Sequence, residues 1–128
     1  MQVEIRSRVA LARLMVAEEL LNNLPGELGM RTALSRAYYG LFHSAQARLL
    51  TVGDKAVGPG LRHGTVSRLV RRRFGVGSGQ IYTDAMSARH DADYESSQTF
   101  DLLSVSRHLK TIRAEVDSLC LEAERVLK

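Results

Sequence analysis

Two short segments of this 128-residue chain hold most of its chemically capable side chains: Ser35-Arg36-Ala37-Tyr38-Tyr39-Gly40-Leu41-Phe42-His43 and Arg89-His90-Asp91-Ala92-Asp93-Tyr94. The chain has four tyrosines, three phenylalanines and no tryptophan, yet two Tyr, one Phe and a His fall within about two helical turns. At about 100° per residue, Arg36 and His43 are nearly eclipsed, and Tyr39 lies between them. The three form one polar stripe with apolar residues on both sides. An arginine beside a histidine suits phosphodiester chemistry. The guanidinium neutralises a phosphate, and the imidazole gives or takes a proton near neutral pH. No metal is needed where a ribose 2′-hydroxyl is the nucleophile. The competing role is structural: the same groups bond to neighbouring helices and fix the packing, and spacing alone favours it.

Arg89 and Asp93 also face one way and can pair locally, as can His90 and Tyr94 on an adjacent strip. A structural ion pair is the favoured reading of Arg89 and Asp93. A third group is cationic: Arg62, His63, Arg68, Arg71, Arg72 and Arg73 fall in one window. Such a run is a solvated face, or a contact surface for RNA or a nucleotide, without support for sequence-specific readout. His108 is isolated and receives no role. There is no GxxxxGK[ST], no GxGxxG after a strand, no HExxH, no paired CxxC and no nucleophile elbow. The His and Asp residues form no obvious metal set, so no metal and no cofactor are expected.

The length fits one domain over residues 1–128, and 45% hydrophobic with 25% charged residues is an ordinary globular balance. The single cysteine, Cys120, excludes an internal disulfide and reads as a buried structural thiol of a reducing compartment. No segment has the length and apolarity to cross a membrane, and the start lacks a signal-peptide run. The expectation is a cytoplasmic protein without membrane contact. A net charge of +4 permits a polyanionic partner without demanding one.

These side chains need elements to position them. Pro25-Gly26, the stretch 53–60 and the stretch 75–79 are the strong breakers, and apolar residues recur at helical spacing between them. The spacing predicts helices over about 3–23, 29–51, 61–74, 80–95 and from about 99 to the end. The first should turn Val9, Leu11, Ala12, Met15, Val16, Glu19 and Leu20 inward. The second is apolar around much of its circumference and should be central. Gly75 to Gly79 reads as a flexible loop, and Thr99 as the N-cap of the last helix. The fold class is therefore all-α: an antiparallel up-and-down bundle of about five helices.

With those residues in place, the chain resembles the HEPN superfamily. Residues 35–45 are similar to its RAYYAxFHAA signature, Arg62-His63-Gly64-Thr65-Val66 to an HxGV segment, and Arg89 through Asp93-Tyr94 to an RxxxDY segment. The three occur in the family's order and span nearly the whole chain. The resemblance implies a helical domain, commonly a homodimer, of a prokaryotic toxin–antitoxin or defence module. Its expected partner is a minimal nucleotidyltransferase. Family nucleases are metal-independent endoribonucleases that use an Arg-x4–6-His motif meeting its partner across the dimer interface. In this chain Tyr94 holds the histidine's place after Arg89, while Arg36 and His43 fit the spacing on the second helix. The expected roles are phosphate binding by Arg36 or Arg89, proton transfer by His43 or His63, and orientation of an arginine by Asp93. Tyr38, Tyr39, Tyr94, Arg62 and Arg68 are expected binding residues. The alternative is a non-catalytic module that binds a nucleotide or restrains a nucleotidyltransferase.

Overall fold

A computed structural model describes residues 2–24, 26–53 and 63–127. Among them there are five helices and no strand: α1 (Gln2–Asn23), α2 (Gly26–Thr51), α3 (His63–Phe74), α4 (Val76–Tyr94) and α5 (Leu102–Leu127). The all-α bundle expected from the apolar spacing is present. Arg62 and most of the stretch 53–60 lie outside the described residues.

α2 packs against all four other helices. Its sequence explains this position: Ala33, Leu34, Ala37, Tyr38, Leu41, Ala45, Ala47 and Leu49 are buried on several sides. Each fully buried leucine contributes about 1.5–3 kcal/mol relative to exposure. α1 lies antiparallel along α2, with Arg6 Nη1 donating to Gln46 Oε1 at 2.6 Å near one end. Small residues let the two axes approach. A Cβ on Gly40 would sit 3.0 Å from the carbonyl oxygen of Ala10.

α4 runs antiparallel to α2, and α5 antiparallel to α1 and α4. Among helices consecutive in the chain α3 is the exception, because it runs parallel to the second half of α2 rather than antiparallel to it. Its first residue, His63, meets Tyr38, and its last, Phe74, lies under the Arg48 guanidinium at 5.2 Å. The parallel course places a helix start, rather than a helix end, beside the middle of α2.

The end of α4 is anchored by one arginine. Arg31 Nη1 donates to the carbonyls of Asp91 (3.2 Å) and Ala92 (3.0 Å), and Nη2 to those of Glu95 (3.0 Å) and Gln98 (2.5 Å). Asp91 and Glu95 also accept from the backbone N–H groups of Glu95 and Gln98, so the guanidinium takes their second lone pairs and adds partners for the Ala92 and Gln98 carbonyls around the helix C-terminus. Glu27 sits 3.6 Å from Arg31 and accepts from the Phe100 N–H at 3.2 Å, which ties the α4–α5 connection to the start of α2. This anchor sets the register that brings Arg89 and Asp93 opposite Tyr39 and Ser35.

Four expectations are corrected. α4 begins at Val76, so Gly77 and Gly79 are helical and only Gly75, with φ 101°, makes the turn. Gly79 lies where α4 crosses α3: a Cβ there would meet Arg71 Cβ at 2.6 Å. The α5 N-cap is Asp101, whose Oδ2 accepts from Ser104 N–H at 3.1 Å, not Thr99. α2 begins at Gly26, because Gly26 itself takes the positive φ of the turn (82°). Finally, α1 buries Ser7, Ala10, Leu14 and Ala17, and leaves Ala12, Met15, Val16 and Glu19 outside. Close packing on α2 selects the narrow side of the helix, not the most apolar one.

Candidate functional site

Tyr38 and Tyr39 are neighbours on α2 and leave it in different directions. Tyr38 is fully buried, and Tyr39 is half-buried. The Tyr38 hydroxyl lies 2.5 Å from His63 Nδ1 on α3 and 3.1 Å from the Tyr82 hydroxyl on α4. Tyr82 is also buried and has no other hydrogen-bond partner among the described residues. Counting hydrogens orders this chain. If Tyr82 donates to Tyr38 and Tyr38 donates to Nδ1, every buried O–H has an acceptor. The opposite direction leaves the Tyr82 hydrogen buried and unpaired, at about 1–3 kcal/mol. Nδ1 of His63 is therefore the acceptor, and its proton is on Nε2.

His63 also packs against Phe42 (ring centroids 4.5 Å) and Tyr39 (5.9 Å). Burial lowers its pKa below the ordinary 6.5, and the Arg89 charge lowers it further. The ring is neutral at pH 7. Burial raises Tyr38 to about 12 and moves Tyr82 in the same direction, so both stay protonated.

Arg89 closes the group. Its Nη2 donates to the Tyr39 hydroxyl at 2.8 Å. Its Nε lies 2.9 Å from Asp93 Oδ2, although the Nε–H does not point along that line, so the contact is an ion pair rather than an aligned hydrogen bond. Ser35 Oγ holds the same Asp93 oxygen at 3.4 Å. The guanidinium carbon is 5.3 Å from the Tyr39 ring, 5.7 Å from Tyr94 and 5.9 Å from Tyr38. Three aromatic faces stabilise and orient the cation. The Arg89 side chain keeps 18% of its surface and Tyr94 keeps 64% of its own, so the cation is reachable from solvent across an aromatic wall. His90 packs against the same Tyr94 with its ring tilted by 49°, centroids 5.1 Å apart.

Tyr38, Tyr39, His63, Arg89, Asp93 and Tyr94 thus converge from α2, α3 and α4. Arg36 and His43 do not join them. Arg36 is exposed and makes no bond among the described residues. His43 faces α1: burial, then Arg13 and Arg6, lowers its pKa, and its buried Nδ1 has no partner. The stripe Arg36–Tyr39–His43 is split between two neighbours. Arg68 is exposed on α3. Tyr82 and Phe42 also belong to the group. Phe42 reads in the sequence as one residue of an apolar helix, and Tyr82 has nothing in its own segment to single it out.

Elsewhere, cavities of about 280 and 350 Å³ lie between α4 and α5 and share Asp84, Ser104 and His108; neither includes a converging residue. Among the described residues no three His, Cys, Asp or Glu side chains gather as metal ligands, and no helix is long and apolar enough to cross a membrane. The Cys120 thiol is buried, and burial raises its pKa. Comparison with protein-family models finds no match, and comparison with curated proteins finds none.

Proposed function

We propose that the group on α2, α3 and α4 binds the phosphate of an RNA strand or nucleotide, in a HEPN-type module that binds without cutting. The observation that carries this is the state of His63. With Nδ1 accepting from Tyr38, the neutral ring keeps an Nε2–H donor, and it shares the Tyr38 and Tyr39 rings with the Arg89 guanidinium. A donor and a cation together suit a phosphate oxygen. A general base needs a free ring lone pair, and here the Tyr38 hydroxyl occupies it.

Charge extends the reading from one phosphate to a strand. Of the 18 Lys and Arg, four (Arg68, Arg71, Arg72 and Arg73) sit on α3, which has no acid; the other 14 match the 14 Asp and Glu. The excess positive charge therefore belongs to the helix that carries His63. A cationic helix leading to an aromatic-walled arginine is the arrangement single-stranded nucleic acid uses. On this reading the HEPN resemblance supplies the partner, a minimal nucleotidyltransferase, and the setting, a prokaryotic toxin–antitoxin or defence module.

The test is purified chain with labelled single-stranded RNA in excess EDTA. Salt-dependent binding without cleavage is expected. Arg89→Ala should lose it, and Arg89→Lys should recover it only in part, since the fork geometry is gone. Unchanged binding in folded Arg89→Ala overturns the proposal. Cleavage in EDTA replaces it with a metal-independent ribonuclease.

A further inference from the structure

α1 presents two faces, and only one is used inside the protomer. Ser7, Ala10, Leu14 and Ala17 are buried. On the opposite side, about half a turn away at 100° per residue, Ile5, Arg8, Ala12, Met15 and Glu19 are all exposed, with Val16 beside them. Their spacing alternates three and four, which is the seam of a coiled coil. Ile5 is 49% exposed, Met15 59% and Val16 44%. Arg8 and Glu19, the charged members of this seam, make no hydrogen bond or ion pair among the described residues.

The seam is complementary to itself. Two copies of α1 placed antiparallel about a twofold axis between Ala12 and Met15 bring Ala12 against Met15 of the partner subunit. The same register brings Arg8 against Glu19 of the partner subunit, twice by symmetry. Small meets large at the centre, and opposite charges meet on both flanks. A parallel pairing would set Arg8 against Arg8 and Glu19 against Glu19.

We infer that this face of α1 is a dimerisation surface, and that its occupant is α1 of a second copy in the antiparallel register. The inference does not rest on the phosphate-binding reading. α1 touches α2 and α5 but neither α3 nor α4. A dimer joined through α1 therefore leaves each Arg89 group within its own protomer, with no residue shared across the interface.

Sedimentation of the full chain over a concentration series tests this. The wild type is expected to be a dimer. Met15→Glu should give a monomer with unchanged RNA binding and a concentration-independent melting profile matching that of the wild type diluted to its monomer, since Met15 is exposed and outside the site. Arg8→Glu and Glu19→Arg should each weaken the dimer by about tenfold through like-charge contact. The double variant Arg8→Glu/Glu19→Arg should restore it. A wild-type chain that stays monomeric at its solubility limit overturns the inference, as does a Met15→Glu dimer of wild-type strength. A double variant no tighter than the single ones overturns the register.

Discussion

The Tyr38 hydroxyl and His63 Nδ1, 2.5 Å apart, join the most buried ring of α2 to the first residue of α3. One hydrogen bond thereby fixes both the orientation and the tautomer of the histidine. Tyr38→Phe removes the donor to Nδ1 and the acceptor for Tyr82 together; Tyr82→Phe removes only a donor. The first should cost about 2 kcal/mol and the second about 1 kcal/mol or less, read from denaturant melts. Nitrogen chemical shifts of the His63 ring should report an Nε2–H form in the wild type and a mixture in Tyr38→Phe. An Nδ1–H ring in the wild type would reverse the donor order and return a free base to the site.

Two half-buried histidines make stability depend on pH in one direction. Burial, with Arg89 adding to it, lowers His63 below 6.5; burial, with Arg13 and Arg6, lowers His43. The unfolded chain regains the ordinary value and binds protons first as the pH falls. The stabilisation from the neutral rings is therefore complete above 6.5 and lost as the pH drops from there toward the depressed folded values. Melting temperature should fall between about pH 7 and 5, and His63→Gln should flatten part of that slope. RNA binding should move the other way. A phosphodiester keeps its charge over this range, and a protonated His63 adds a second cation beside Arg89. A flat melting profile would mean that neither ring is desolvated as described.

Asp93 competes with any anion for Arg89. Its carboxylate lies 2.9 Å from Nε, in a pair only partly screened from solvent. Asp93→Asn removes the negative charge and keeps an acceptor, so RNA affinity at low salt should rise about three- to tenfold. Loss of affinity would instead make Asp93 the group that holds Arg89 in position. His43→Ala and Arg36→Ala serve as controls and should leave affinity within about twofold, since neither reaches the group.

The same residues show what the sequence makes legible. Five helices follow from apolar spacing and from glycine and proline, because those signals are local. The central place of α2 follows from apolar residues on more than one of its sides. The stripe Arg36–Tyr39–His43 is a true face of α2, but spacing says which residues share a face and not which neighbour covers it. α4 covers Tyr39 and α1 covers His43, so the stripe divides. Arg89 meets Tyr39 because Arg31 fixes the register of α4 sixty residues away, which no local pattern carries. In α1, apolar residues lie on both sides, and the choice of inner face falls to the small ones.

Gly77 and Gly79 separate helix propensity from packing. Both lie in the first turns of α4 with helical backbone, two residues apart. A Cβ on Gly77 meets nothing within 4 Å, whereas one on Gly79 meets Arg71 Cβ at 2.6 Å, Cγ at 2.8 Å and Cα at 3.0 Å. Gly77→Ala should therefore stabilise the protein by about 0.5–1 kcal/mol through reduced backbone freedom in the unfolded chain. Gly79→Ala gains the same term but must push α3 from α4 at a backbone contact, and should destabilise by about 1–3 kcal/mol net. Because α3 carries His63, the Gly79 variant should also weaken RNA binding, while the Gly77 variant should not. Equal effects of the two substitutions would mean that α3 and α4 do not cross at Gly79, and the placement of His63 beside Tyr38 would fall with that crossing.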